Sequence, residues 1–355
     1  MARLVPVSVA SAQARRIDHE FLSMSTPEKR RRLCVFLLQL GGPESVAEIE
    51  PFLRNLFEDV LPVPRPMRRA LGNFMAKRRA PSVAPLYERI GGASPLRANT
   101  EAQARALEER LAVLGLEAKV FVAMRYAPPR VDDALEEARR HWSDATWVAL
   151  PLYPQYSFAT TRSSLDELMG LLTTPEQERL YTINAYPADE NYLAALTECV
   201  QETLAAVPSP LRHDTEILCS AHGLPLKLVR EGDPYPDHVR QTMDGLQARL
   251  PQGVAFHLSY QSRVGPVRWL TPATEETVRR LGRLGVKSLV VVPVSFISEH
   301  IETLYELDIQ LREVAAHAGI VHFARAPTPS VRPTFIAALG DLVLRALPRL
   351  TASAA

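Results

Sequence analysis

The stretch Lys287–Leu311, KSLVVVPVSFISEHIETLYELDIQL, constrains this chain more than any other. It opens with an unbroken apolar run, Leu289 to Val292, continued by Pro293, Val294 and Phe296. A strand of that kind needs burial on both faces. After the turn Ser298-Glu299-His300 the apolar period lengthens from that of a strand to that of a helix. Leu304, Leu307, Leu311 and Val314 then share one face, with Glu302, Glu306, Gln310 and Glu313 on the other. Glu302 and Glu306 stand one turn apart, and like charges at that spacing repel. The pair calls for a cation or a proton close by.

The same strand–loop–helix unit recurs along the chain. Arg32–Leu40 is a buried strand that runs into Gly41-Gly42-Pro43, with a helix beginning near Glu44. Lys119–Met124 is a strand that delivers Arg125 and Tyr126, and Thr146–Leu152 is a strand that leads into YPQYSFATTRSS and a helix around Leu165 to Leu172. A second set of strands follows at Tyr181–Ala185, Thr215–Ser220, Val254–Tyr260 and His322–Ala324, with helices between them and a last helix near Thr334–Leu347. Alternation of this kind predicts an α/β fold: two similar Rossmann-like domains, parallel sheets flanked by helices, and a cleft between them. The expected layout is a disordered extension over 1–30, a first domain over 31–172, a second over 173–333, and a C-terminal helix and tail over 334–355 packing back near the junction. A chain of 355 residues exceeds what one core usually fills.

Bulk composition narrows the function classes. A net charge of +1 gives no field for nucleic acid, and none is expected as a partner. Three separated cysteines, Cys34, Cys199 and Cys219, form no C-x-x-C pair and suit a reducing, cytoplasmic compartment. No run is long and apolar enough to predict a membrane span. There is no G-x-G-x-x-G and no G-K-[ST], so neither a dinucleotide nor a P-loop fingerprint is present. Within 61–81, six basic residues alternate with Leu61, Val63, Met67, Leu71, Phe74 and Met75, and no acid interrupts them. Three readings fit that pattern: a segment lying on an anionic surface, a lip over an apolar ligand with carboxylate edges, or a solvated surface helix.

His222 is the strongest single candidate for chemistry. It follows a buried strand and precedes Gly223, and a neutral imidazole takes a proton near pH 7 or ligates a divalent metal. With Glu302 and Glu306, and with Glu299 and Asp308 adding acid nearby, it makes a thiolate-free His/carboxylate site suited to transient handling of a divalent metal. Extending the helical phase back to His300 puts that residue opposite Glu302, in a structural place. Tyrosines 87, 126, 153, 156 and 260 and Trp269 fall at strand ends, and YQSRVGPVRWL interleaves rings with arginines, as a large flat ligand with anionic edges requires.

Taken in order, LLQLGGPES, AKRRAPSVAPLYERIGGASPL, MRYAPP, LPLYPQYSFATTRSS, CSAHGLP, YQSRVGPVRWLTP and VPVSFISEHIETLYELDIQ resemble the ferrochelatases. The resemblance runs from about Leu33 to Leu347. It implies insertion of Fe²⁺ into a porphyrin held between two α/β domains, with loss of two pyrrole protons. By position it implies His222 and Glu302 as the catalytic, metal-site pair and Glu299 and Glu306 as an acidic path. It also implies Leu40, Arg79, Tyr87, Ser94, Arg125, Tyr126 and Trp269 as porphyrin-binding residues. The segment Leu61–Met75 corresponds to a lip that touches the membrane in some members, so a peripheral place on the inner membrane face is expected. Where animal members carry a cluster-ligating cysteine this chain has Phe158, and neither a [2Fe–2S] cluster nor another tightly bound cofactor is expected. The lip and the ETLYELDIQ motif are closer to members acting on protoporphyrin IX than to those acting on coproporphyrin III. A non-catalytic tetrapyrrole or metal carrier, and a chelatase for cobalt or nickel, are the competing readings.

Overall fold

A computed structural model describes residues 32–347 except Pro62, Val264 and Pro266. The expected extension over 1–30 and the tail from 348 lie outside the described residues.

Two four-stranded parallel sheets carry the chain. In the first, β1 (Arg32–Gln39), β2 (Glu117–Met124), β3 (Thr146–Pro151) and β4 (Leu180–Thr182) lie in the order β2-β1-β3-β4. In the second, β5 (Thr215–His222), β6 (Phe256–Gln261), β7 (Ser288–Pro293) and β8 (His322–Arg325) lie in the order β6-β5-β7-β8. The two orders are the same, so the repeated plan of the sequence is a repeated topology. In each sheet the chain leaves the first strand to one side and returns to its other side. That creates a switch point between β1 and β3 and another between β5 and β7, where ligands of open parallel sheets bind.

The strands are apolar on both faces because both faces are covered. Leu33, Val35 and Leu37 of β1 point into one core while Cys34, Phe36 and Leu38 point into another, the alternation a strand imposes. The first of these cores is continuous across both sheets. It joins Leu33, Val35 and Leu37 to Ile217 and Cys219 of β5, Val290 and Val292 of β7, and Phe335 and Leu339 of the helix Pro333–Ala346. That C-terminal helix packs on the helices Leu96–Val113 and Glu190–Ala205 and on β3. Polar cross-links reinforce the junction. Gln155 Nε2 donates to Thr242 Oγ1 at 2.9 Å and to the Val294 carbonyl at 3.0 Å, and the Tyr192 hydroxyl donates to that same carbonyl at 3.0 Å.

Two expectations change, and the form of the segment 61–81 is defined. The strand anticipated at Tyr181–Ala185 as the start of the second set is β4, which pairs with β3 and closes the first sheet. Periodicity identifies a strand but not its neighbour. The basic and apolar segment 61–81 lies mostly in a helix, Arg65–Glu88, that continues through Pro81 and Pro85 and packs on the helix Ile49–Val60. Finally, Glu302–Leu311 is a π-helix, not an α-helix, and only from Arg312 does an α-helix take over. Its buried residues are Thr303, Leu307 and Leu311.

Phe335 is fully buried in the shared core, and Phe335→Ala is expected to cost about 3–5 kcal/mol in denaturant titration. Tyr192→Phe removes only one of two donors to Val294 O and is expected to cost about 1 kcal/mol in the same measurement.

Candidate active site

His222 is the last residue of β5, and the residues that follow β7 pass beside it. Its backbone is held by Ser295 Oγ, which accepts from the His222 N–H at 2.9 Å, and by the Tyr235 hydroxyl, which donates to its carbonyl at 3.0 Å. Phe296 meets the imidazole edge-on at 6.3 Å. The next residue must be glycine. A Cβ on Gly223 would sit 2.6 Å from the Gln261 carbonyl and 3.3 Å from Trp269 Cε3. Trp269 is thereby placed against the histidine loop.

Glu302 opens the π-helix, and its Oε2 lies 2.6 Å from His222 Nδ1. The His222 side chain keeps 42% of its exposure, so the ring remains reachable by a ligand. Burial alone would lower the histidine pKa, but the Glu302 charge and hydrogen bond outweigh it and raise the pKa above its ordinary value. Burial likewise works against ionised Glu302, yet His222 holds its carboxyl down at about 2. The contact favours the imidazolium–carboxylate form of the pair.

Glu306 behaves in the opposite way. Burial first, and then the charge of Glu302, push its carboxyl up to about 7. Ser262 Oγ lies between the two carboxylates, 3.1 Å from Glu302 Oε2 and 2.5 Å from Glu306 Oε2. Gln261 Nε2 donates to the Glu302 carbonyl at 3.0 Å and to Glu306 Oε2 at 3.1 Å. Ser262 does this from φ 61°, a left-handed conformation uncommon outside glycine. His222, Glu302, Glu306 and Ser262 thus form one hydrogen-bonded group able to share a proton.

The sequence reading missed Ser262 and Gln261, whose segment was read for rings and arginines. What places them is the register His222↔Gln261 between β5 and β6, which no local pattern encodes. His300 was expected opposite Glu302. Instead its Nε2 lies 4.0 Å from Glu302 Oε1, with its ring 4.7 Å from Phe296. The π-helix starts at Glu302, so the helical phase does not extend back to residue 300. Burial lowers the His300 pKa despite the nearby glutamates, so the residue is neutral at pH 7.

The remaining candidates fall into separate places. Tyr87 is buried with Ile49, Leu53 and Ala76, and Ile301 packs on that cluster. Burial and then the Glu302 charge raise its pKa. Glu299 turns elsewhere: its carboxylate accepts from Thr303 Oγ1 at 2.6 Å, the Thr328 N–H at 2.9 Å and Arg325 Nη1 at 3.0 Å. Arg125 and Tyr126, at the end of β2, form a second charged group. Arg125 pairs with Asp59 at 2.9 Å and Glu167 at 2.7 Å, and the Tyr126 hydroxyl donates to Asp59 at 2.7 Å. A cavity of about 240 Å³ opens there, lined also by Asn55, Glu58 and Arg130. Leu40 follows β1 and accepts from the Tyr126 N–H at 2.9 Å. Ser94 is buried over Gly42, and Arg79 is exposed and touches Ser82. On the helices Ile49–Val60 and Arg65–Glu88, Val60, Met67 and Phe74 are exposed. Among the described residues no helix is long and apolar enough to cross a membrane.

The raised Glu306 carboxyl has a consequence for stability. The folded chain keeps this proton up to about pH 7, while an unfolded glutamate releases it near 4.5. The folded state binds the extra proton between those values, so stability falls as pH rises through them. Glu306→Gln removes that loss, and thermal melts are expected to show a higher Tm than the parent at pH 8 but no gain at pH 4.5.

Comparison with known proteins places the chain in a family. The family profile "Ferrochelatase" matches residues 32–347. The ferrochelatase of Nostoc sp. is 44% identical over 323 residues, covering 89% of this chain and 82% of the relative. That of Geotalea uraniireducens is 43% identical over 321 residues, covering 89% and 98%. Chloroplastic ferrochelatase-2 of Oryza sativa subsp. indica is 41% identical over 339 residues, covering 91% and 63%. Among solved structures, SirB from Bacillus subtilis with Fe³⁺ superimposes with a TM-score of 0.55 at 12% identity, over 89% of this chain and 95% of that one, a likeness of fold alone. By its family profile and its curated relatives, the chain belongs to the ferrochelatase family.

Proposed function

We propose that this protein inserts Fe²⁺ into protoporphyrin IX, forming protohaem and releasing the two pyrrole protons. The observation that carries the reading is the 2.6 Å His222–Glu302 contact joined through Ser262 to a Glu306 poised at about pKa 7. Metallation requires a centre that attracts a dication and also takes up protons, and this group combines both in one place.

The electrostatics suggest an order of events. At rest His222 carries a proton held by Glu302 and cannot accept another. A dication arriving at Glu302 and Glu306 competes for the charge that holds this proton, so it lowers the histidine pKa and promotes release. The neutral imidazole then accepts one pyrrole proton, hands it to solvent and accepts the second, while the carboxylates pass the metal on. Arg125, Tyr126, Leu40, Arg79, Ser94, Tyr87 and Trp269 are proposed to hold the macrocycle, and Glu299 with Glu306 to lie along the acidic route. Exposed Met67 and Phe74 beside Arg68, Arg69, Lys77 and Arg78 favour a ring with an apolar edge. They also favour peripheral contact with an anionic membrane from the cytoplasmic side.

No resident iron–sulfur cluster is proposed. Burial is the main cause that pushes the thiols of Cys34 and Cys219 up to about 12 and that of Cys199 up to about 11, the reverse of what thiolate ligation needs.

Anaerobic assays with Fe²⁺ are expected to show faster turnover of protoporphyrin IX than of coproporphyrin III, followed by loss of porphyrin fluorescence. The reverse order would assign the four-propionate ring, and tight binding without turnover would make the protein a carrier. His222→Ala is expected to lower kcat by about a hundred-fold or more while porphyrin still quenches protein fluorescence. Near-normal turnover in that variant would remove histidine from the chemistry.

A further inference from the structure

We infer that Arg325 is a positioning residue for the reaction, acting through the π-helix to fix Glu302 and Glu306 relative to His222. The inference rests on the reading of His222 and Glu302 as the reacting pair.

Arg325 ends the edge strand β8, beside Val291 of β7. Only 8% of its side chain is exposed. Its Nη1 donates to Glu299 Oε1 at 3.0 Å and its Nη2 to Asp308 Oδ2 at 2.7 Å. One guanidinium therefore grips a carboxylate just before the π-helix and another within it. Between those two anchors lie Glu302, Thr303 and Glu306. The second oxygen of Glu299 accepts from Thr303 Oγ1 at 2.6 Å, which extends the grip to the residue next to Glu302.

A π-helix needs such a device. Its i→i+5 bonding is rarely stable over more than a single turn, and reverting to the tighter α form shifts register. Each residue of shift turns the side chains that follow by ~100° about the helix axis. Anchoring Asp308 to the sheet holds the register in which both Glu302 and Glu306 reach Ser262. A buried arginine is suited to the task because its planar fork satisfies two carboxylates at once, whereas the single ammonium of lysine offers no such fork. Breaking one arm of a buried pair leaves an uncompensated charge, so the clamp is also costly to undo.

The test is steady-state anaerobic metallation of protoporphyrin IX by Arg325→Lys and Asp308→Asn, alongside porphyrin binding by fluorescence quenching and a thermal melt. Asp308→Asn removes the charge from one arm while leaving Arg325 balanced by Glu299, so it reads the inference even where the arginine variant does not fold. Expected for both is a fall in kcat on the order of ten- to a hundred-fold with porphyrin Kd within about two-fold of the parent. Combination of Asp308→Asn with Glu306→Gln is expected to cost less than the product of the single effects, because both act on one geometry. A kcat equal to the parent's in folded Asp308→Asn, or effects that multiply independently, would overturn the inference. Near-normal turnover in His222→Ala would instead remove the underlying reading, and that outcome is independent of the clamp.

Discussion

Parallel pairing of β5 with β7 is the constraint on which the site depends. The register Ser220↔Pro293 sets the two strand ends level, and the Val294 N–H continues the ladder by donating to Ser220 O. Only then can the last residue of one strand and the first residue of a helix 80 positions later meet at 2.6 Å. The crossover that separates them in sequence is what brings them together in space, since a switch point leaves an opening between two loops that diverge. The Glu302–Glu306 repulsion evident in the sequence is eased here by the His222 contact on one carboxylate and by the raised proton affinity of the other.

Much of this was legible beforehand. Unbroken apolar runs at Leu33–Leu38 and Leu289–Val292 were bound to be central strands, because only burial on both faces tolerates them. Strand ends carry function in such sheets, so His222 and Glu302 could be singled out from position and type. What could not be read was anything set by pairing. The assignment of β4 to the first sheet, the arrival of Gln261 and Ser262 beside Glu302, and the arginine at the end of β8 that reaches back to Asp308 are all products of register. The π-helix was hidden for another reason. Its buried positions, Thr303, Leu307 and Leu311, are spaced almost as an α-helix would space them, and one of them is a threonine.

Electrostatics separates residues that sequence position alone put in one group. Glu299, Glu302 and Glu306 read as one acidic run, but each has a different partner. Glu299 is neutralised by Arg325, Glu302 by His222, and Glu306 by its own proton. Arg125 was expected to line the porphyrin pocket, and its guanidinium meets two internal carboxylates, those of Asp59 and Glu167. An anionic ligand reaching it has to compete with these internal anions, which favours exchange over permanent capture.

The continuous core beneath both sheets bears on how a large ligand gets in. Hinging the halves apart would expose Leu37, Ile217, Val292 and Phe335 together, a loss of apolar burial that no single ligand contact offsets. The helix pair Ile49–Val60 and Arg65–Glu88 rests on a small core of its own, built on Ile49, Leu53, Ala76 and Tyr87. Because Tyr87 belongs to that small core and Ile301 packs on it, the helix pair and the residue just before Glu302 share one packing unit.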